Sequence, residues 1–316
     1  MNILVGCNNL KPNGLGTFIY TQVKELIRRG HEVDVVTIHE GKISKKLSSN
    51  MIELDEIKNT YDFILVSQND ITHELVKRNV SGHKIFTVMG FIFIDNDIPD
   101  YSTLSYVDNV VSICKEIQDY LKKENDIDSI VINQPIDCNR FSSIDLPRWG
   151  QSSVKVISMV RGFESEIMIK SACEMIGYEY IGSQKPVEYQ FHDNDEDNSI
   201  FEVEDKIRKA DIVVGLGRCV YESLACGRNA LVFDDREYQG NLGDGMVTPS
   251  NIDDFTDFNF SGRFSNKSLD IGDLTKELKK YNPEYGNFFR KWILDNFNVV
   301  DTIDQYLSMK KTDLQV

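Results

Sequence analysis

Two glycines, an arginine and a glutamate, all within residues 215–222, form the best-defined chemical signal in this sequence. Gly215-Leu216-Gly217-Arg218 follows the apolar run Ile212-Val213-Val214, and Glu222 precedes Gly227 on the segment that comes next. A strand that enters a glycine turn and then a helix brings backbone N–H groups close to a ligand, and the helix start favours an anion. One turn into that helix, Glu222 is expected near its mouth, as an acceptor for vicinal hydroxyls such as those of a ribose. The same spacing also fits a plain strand-turn-helix with a solvated glutamate, since glycine pairs are common.

Other groups are weaker. Gly14 and Gly16 lie in the turn-rich stretch 8–16, expected as a loop, but they fail as a dinucleotide fingerprint. Ile19 stands where the third glycine belongs, and the loop after Gly6 is too long for a tight turn. Gln68, Asn69 and Asp70 follow the apolar run Phe63-Ile64-Leu65-Val66, at the strand edge where ligands bind. Asp95-Asn96-Asp97 and Asp193-Asn194-Asp195 have the Asp-x-Asp spelling of metal-dependent sites, yet both read as solvated loops. The five histidines show no ligand spacing, so no metal is expected.

The elements that must position these residues alternate. Short apolar runs at 3–5, 33–37, 63–66, 85–88, 110–113 and 130–132 read as strands, with helical spacing over 18–27, 71–78 and 115–123. A second series has strands at 154–157, 178–181, 212–214 and 230–233, and helices at 204–209 and 220–225. Strands alternating with amphipathic helices imply parallel sheets covered on both faces. The serine-rich stretch 142–153, with Pro147 and Gly150, reads as the linker. The expected domains are 1–145 and 146–316, with the last helix able to pack back on the first, and the ligand between the two.

Composition narrows the classes. The 316 residues carry a net charge of −15, a field that repels nucleic acid and anionic membrane. No apolar run approaches the ~20 residues that cross a bilayer, and the first residues read as a strand, not a signal peptide. A cytoplasmic protein without an integral membrane segment is expected. Its six cysteines, none in a C-x-x-C pair, read as reduced and mostly buried thiols.

On these elements the chain resembles the retaining GT-B glycosyltransferases of the group 1, family 4-like type. Gly215, Gly217, Glu222, Ala225 and Gly227 fall on that family's donor-binding signature. Asn2-Ile3-Leu4-Val5, Pro12-Asn13-Gly14-Leu15-Gly16 and the stretch 23–33 match its opening. Ile132-Asn133-Gln134-Pro135-Ile136-Asp137 with Arg140-Phe141 resembles its end-of-first-domain segment, with Gln134-Pro135 replacing Asn-Gly. Val160-Arg161-Gly162 resembles the strand end whose arginine pairs with the donor pyrophosphate. Three departures stand out. Val214 occupies the position of a glutamate that contacts the donor sugar, and Met89 that of a histidine before Gly90. Glu164-Ser165-Glu166 lies where a second cation belongs, for which Arg218 is the candidate substitute.

The resemblance implies a GT-B α/β fold: two Rossmann-like, doubly wound parallel-sheet domains facing a central cleft. It implies a nucleoside diphosphate-sugar, UDP-sugar first, as co-substrate, with no further cofactor. Glu222 would hold the ribose, and amides after Gly217 would meet the diphosphate. Arg161 and Arg218 would take the leaving charge, and the loop of Gly14 and Gly16 would lie near donor or acceptor. Asp70 would touch an acceptor hydroxyl or cap the next helix. Retention follows from the family, with the leaving phosphate helping to deprotonate the acceptor. The acceptor is open: polysaccharide, lipid, protein, small molecule or phage hydroxymethylated DNA. Two rivals are a nucleotide-sugar 2-epimerase and a non-catalytic nucleotide-sugar-binding protein.

Overall fold

The computed structural model describes residues 1–91, 94–142, 153–182, 202–236 and 240–309. The linker expected over 142–153 and the acidic Asp193-Asn194-Asp195 run fall almost wholly outside these residues. The chain divides into two compact units, Met1–Pro135 with Val299–Val316, and Ile136–Asn298. The polypeptide thus leaves the first unit ahead of the expected boundary at 145/146, and its last helix belongs to the first unit.

The first unit holds strands β1 (Asn2–Asn9), β2 (Glu32–His39), β3 (Thr60–Ser67), β4 (Ser81–Val88), β5 (Asn109–Ser112) and β6 (Ile130–Val131). They form one sheet in the order β2-β1-β3-β4-β5-β6, every pair parallel. Its helices are α1 (Gly14–Arg28), α2 (Lys42–Lys46), α3 (Asn69–Lys77), α4 (Ile94–Asp97), α5 (Tyr101–Tyr106) and α6 (Lys115–Asn125). The central strands are apolar at nearly every position because both faces are covered: Ile3, Leu4, Val5, Ile64, Ile85 and Phe86 are all buried.

The second unit has β7 (Lys155–Ser158), β8 (Glu179–Tyr180), β9 (Ile212–Gly215), β10 (Asn229–Arg236) and β11 (Gly240–Met246), ordered β11-β10-β9-β7-β8. Helices α7 (Phe163–Ile176), α8 (Glu204–Lys209), α9 (Arg218–Ala225), α10 (Ile252–Asp257), α11 (Ile271–Leu278) and α12 (Tyr285–Asn296) surround it. α13 (Val299–Ser308) returns to the first unit. Alternation splits β9 between two cores. Val213 packs with Val220, Tyr221, Phe260 and Phe289, and Val214 packs on the opposite face with Ile169, Leu231 and Leu274.

One strand departs from expectation. β11 is antiparallel to β10, and its sequence Gly240-Asn241-Leu242-Gly243-Asp244-Gly245-Met246 carries no strand signal. Glycine is needed there for close approach: a Cβ on Gly243 would lie 2.6 Å from the Leu269 side chain and 2.9 Å from Val232 O. Both units are Rossmann-like α/β domains, the second with an antiparallel edge.

Candidate functional site

In an open parallel sheet, ligands bind at the carboxyl ends of the strands where the winding reverses. In the second unit the chain passes from β7 outward to β8 and then to β9 on the other side, so the reversal lies between β7 and β9. Arg161 follows β7 and the 215–218 turn ends β9. The two segments singled out from sequence therefore flank one switch point.

The turn is built on backbone. A Cβ on Gly215 would meet Cys219 Sγ at 2.6 Å and Met159 O, at the end of β7, at 3.4 Å. Gly217 caps α9 at φ 63°, in the left-handed region. Its own N–H donates to Phe260 O at 2.9 Å and its carbonyl accepts from Val220 N at 2.9 Å, so both groups serve the fold.

The side chains differ from the solvated picture. Glu222 is 5% exposed and Arg218 8%, and Arg218 Nε donates to Glu222 Oε1 at 2.8 Å. Glu222 is thus paired with Arg218 within the first turns of α9 rather than solvated. Burial pushes the Glu222 carboxyl up, and the Arg218 charge beside it offsets part of that rise. Burial likewise depresses the Arg218 guanidinium. Arg140, given no chemical role above, acts electrostatically on both and pairs with Glu204 at 2.9 Å. Val214, at 0% exposure, lies in the core with Ile169 and Leu231.

At the other rim, Arg161 carries an exposed side chain, and its N–H donates to Asp234 Oδ2 at 3.1 Å. Asp234 is fully buried and also accepts from Gly162 N, Ser165 Oγ, Asp235 N and Arg236 Nε. Sequence reasoning missed Asp234 and Arg236. Their signal was available: Asp234-Asp235-Arg236 directly follows the apolar run 230–233 at the carboxyl edge.

In the first unit the reversal lies between β1 and β3. Asn8, at the end of β1, donates from Nδ2 to Asp70 Oδ2 at 2.7 Å and to Asn96 Oδ1 at 3.2 Å, and accepts from Ile71 N. Gln68 caps α3 at φ 86°, ψ 143°, a conformation that a side chain disfavours. It accepts from Asn8 N and donates to Asp97 Oδ1 at 3.3 Å. Burial pushes the Asp97 carboxyl up to about 6. Asp70 is exposed within the first turn of α3 and makes no cap; Asn69 instead anchors the 98–103 segment through Ile98 O, Asp100 N and Thr103 Oγ1. The 95–97 segment is helical throughout, not a loop, and no metal-holding group of three or more His, Cys, Asp or Glu occurs among the described residues.

Gly14 and Gly16 belong to the first turn of α1 rather than to a loop. A Cβ on Gly16 would sit 2.0 Å from Lys11 O, whereas Gly14 is exposed with nothing within 4 Å. Asn13 Oδ1 accepts from Gly16 N at 2.9 Å, so the first-turn amide nearest the glycines is used by the cap. None of the six cysteines forms a disulfide, and burial pushes Cys7, Cys173, Cys219 and Cys226 up to about 12. Burial thus disfavours their thiolate form at neutral pH. Among the described residues no helix is long and apolar enough to cross a membrane.

No family model matches the sequence, and no curated protein matches it. Solved structures do match its fold. A glycosyltransferase from Rickettsia africae aligns with TM-score 0.60 at 11% identity, over 97% of each chain. An α-glucosyltransferase in complex with UDP and a 13-mer DNA containing a central A:G mismatch gives 0.62 at 14%, over 97% of this chain and 98% of that one. A candidate UDP-N-acetylglucosamine 2-epimerase from Listeria monocytogenes gives 0.59 at 12%, over 96% of this chain and 94% of that one. At these identities the likeness is one of fold: a mixed α/β chain of two Rossmann-like domains, as in these glycosyltransferases.

Proposed function

We propose that this protein is a glycosyltransferase that moves a sugar from a nucleoside diphosphate-sugar, UDP-sugar first, to an acceptor hydroxyl. The observation that carries the reading is the Gly215–Arg218 turn at the β7/β9 switch point, facing the Arg161 segment across the same strand ends. The nucleotide docks on the second unit. Its diphosphate meets the amides that open α9 and the exposed Arg161 guanidinium, and Glu222, with Oε1 held by Arg218, offers Oε2 to the ribose hydroxyls. As the sugar–phosphate bond breaks, charge on the departing diphosphate is met by these fixed groups, a route that asks for no metal. The leaving phosphate takes the acceptor proton and configuration is retained.

The acceptor hydroxyl is assigned to the carboxyl edge of the first unit, where Asn8 donates to both Asp70 and Asn96. The DNA held by the α-glucosyltransferase neighbours makes hydroxymethylated DNA one acceptor to assay, beside polysaccharide, protein and small molecules; a net charge of −15 weighs against DNA. A melting screen with UDP, GDP, ADP and their sugars tests the donor. A ligand at 100 times its Kd is expected to add about 2.7 kcal/mol of stability. Glu222→Gln is expected to weaken UDP and GDP alike, through the ribose. Unchanged melting with all of these nucleotides sinks the reading. A 2-epimerase is the second reading, supported by the fold shared with the Listeria protein. Epimer formed from a UDP-sugar without acceptor would favour it; nucleotide released only with acceptor favours transfer.

A further inference from the structure

The segment that brings the chain into the second unit is fixed to α9 by hydrogen bonds. Asp137 Oδ1 accepts from Asn139 N and Arg140 N, both at 3.0 Å, which closes a tight turn. Arg290 of α12 donates from Nη1 to Phe141 O at 2.5 Å and to Ala225 O, at the end of α9, at 2.6 Å. Its Nη2 donates to Cys138 O at 2.8 Å, and Arg208 of α8 donates to Arg140 O and Ser142 O. Cys138 and Phe141 share a core with Val220, Tyr221 and Leu224 of α9.

Arg140 projects from this clamped backbone. Its guanidinium lies 5.0 Å from the Phe141 ring centre and donates to Glu204 Oε2 at 2.9 Å, with both side chains of the ion pair largely buried. A planar cation held against a ring and a carboxylate keeps one place, so this charge is fixed relative to α9.

Glu222 is sensitive to such a charge. A carboxylate accepts from both hydroxyls of a ribose, whereas a protonated acid turns one oxygen into a donor. Burial pushes Glu222 towards the acid and depresses its partner Arg218 as well, so each member of the pair is drawn towards its neutral form. Arg140 adds a positive field at Glu222, and Glu204 a negative one. From the same turn Asp137 favours the Arg218 charge, which Arg140 opposes. Further charges act at the two ends of α9: Asp234 and Arg236 of β10 on Cys219, and Arg208, Arg228 and Arg290 on Cys226.

We infer that Arg140, balanced by Glu204, is a positioning residue that sets Glu222 as an acceptor for vicinal ribose hydroxyls, and with it the preference for ribonucleotides over 2′-deoxyribonucleotides. This deepens the donor reading above and rests on it.

Calorimetric titration of the full chain with UDP and 2′-deoxy-UDP, repeated with the GDP and ADP pairs between about pH 5 and 9, tests it. The ratio within a pair cancels the ionisation of the phosphates. The parent is expected to favour the ribonucleotide by about tenfold, the worth of one charge-assisted hydrogen bond, and to lose that preference as falling pH protonates Glu222. Arg140→Ala should lose it at a higher pH, and Arg140→Lys should restore most of the parent profile. Glu204→Gln removes the opposing field and should move the loss to a lower pH. A merely structural role would weaken both nucleotides of a pair alike and would not shift the two profiles in opposite directions. If Arg140→Ala keeps the parent's preference and profile, the inference falls and the donor site stands. Equal weakening of both nucleotides, with the profile unmoved, also overturns it. Should Arg140→Ala not fold, Glu204→Gln decides, and a profile unmoved or moved to higher pH overturns the inference. A parent that binds both forms of every pair equally removes the ribose contact of Glu222 and the inference with it. If the parent binds none of the six nucleotides, donor site and inference fall together.

Discussion

Two carboxylates in this protein, Glu222 and Asp97, have opposite characters. Glu222 is paired with Arg218, so removing one partner strands the other. Glu222→Ala is expected to cost about 3–5 kcal/mol in a urea titration, because a buried guanidinium loses its counter-charge. Replacing the pair together, Arg218→Met with Glu222→Leu, should recover most of that stability while nucleotide binding stays lost. Asp97 accepts from Gln68, and burial holds its carboxyl up to about 6 against an ordinary 3.8. Between those two values the folded protein keeps a proton that the unfolded chain has released, so stability declines as pH rises through the window. Asp97→Asn should flatten that slope, read from urea midpoints across the window; an unchanged slope would show that Asp97 ionises normally.

The two glycines that open α1 look alike in sequence and differ in the structure. Gly16→Ala places a methyl 2.0 Å from Lys11 O, a backbone atom that cannot swing away. The expected loss is about 2 kcal/mol or more, with a lowered melting temperature. Gly14→Ala meets nothing within 4 Å on an exposed helical position, and is expected to gain about 0.5 kcal/mol. A loss at Gly14 as large as at Gly16 would mean that α1 starts elsewhere. The contrast concerns the element, and it separates a glycine kept for packing from one available to a ligand.

For the molecule as a whole, the chain enters the second unit at Ile136 and returns at Val299. α13 then joins the first unit through the buried Tyr306 Oη–Thr87 Oγ1 hydrogen bond of 3.1 Å and the Arg29–Asp304 ion pair against α1. A chain ending at Asn298 is therefore expected to lose amide protection in β4 and α1 by hydrogen exchange, with β9 and β10 still protected. Equal loss in both units would mean that they unfold as one.

Much of this architecture was legible in the residues alone. Most of the strands and helices need only period and breakers: the runs at 3–5, 63–66 and 212–214 are apolar throughout because both sheet faces are covered, and 204–209 is a helix from spacing alone. The glycine turn after β9 and the arginine after β7 were legible too, since each lies within a few residues of its strand. β11 was not, because its glycines serve neighbours far away in sequence, Leu269 and Glu277 among them. Nor was the state of Glu222, which sequence left either solvated or at a ligand's edge: burial and its Arg218 partner are properties of the packed core. Local order follows from nearest neighbours along the chain, whereas the charge and reach of a side chain depend on everything packed around it, as Asp234 shows with partners drawn from the ends of β7, α7 and β10.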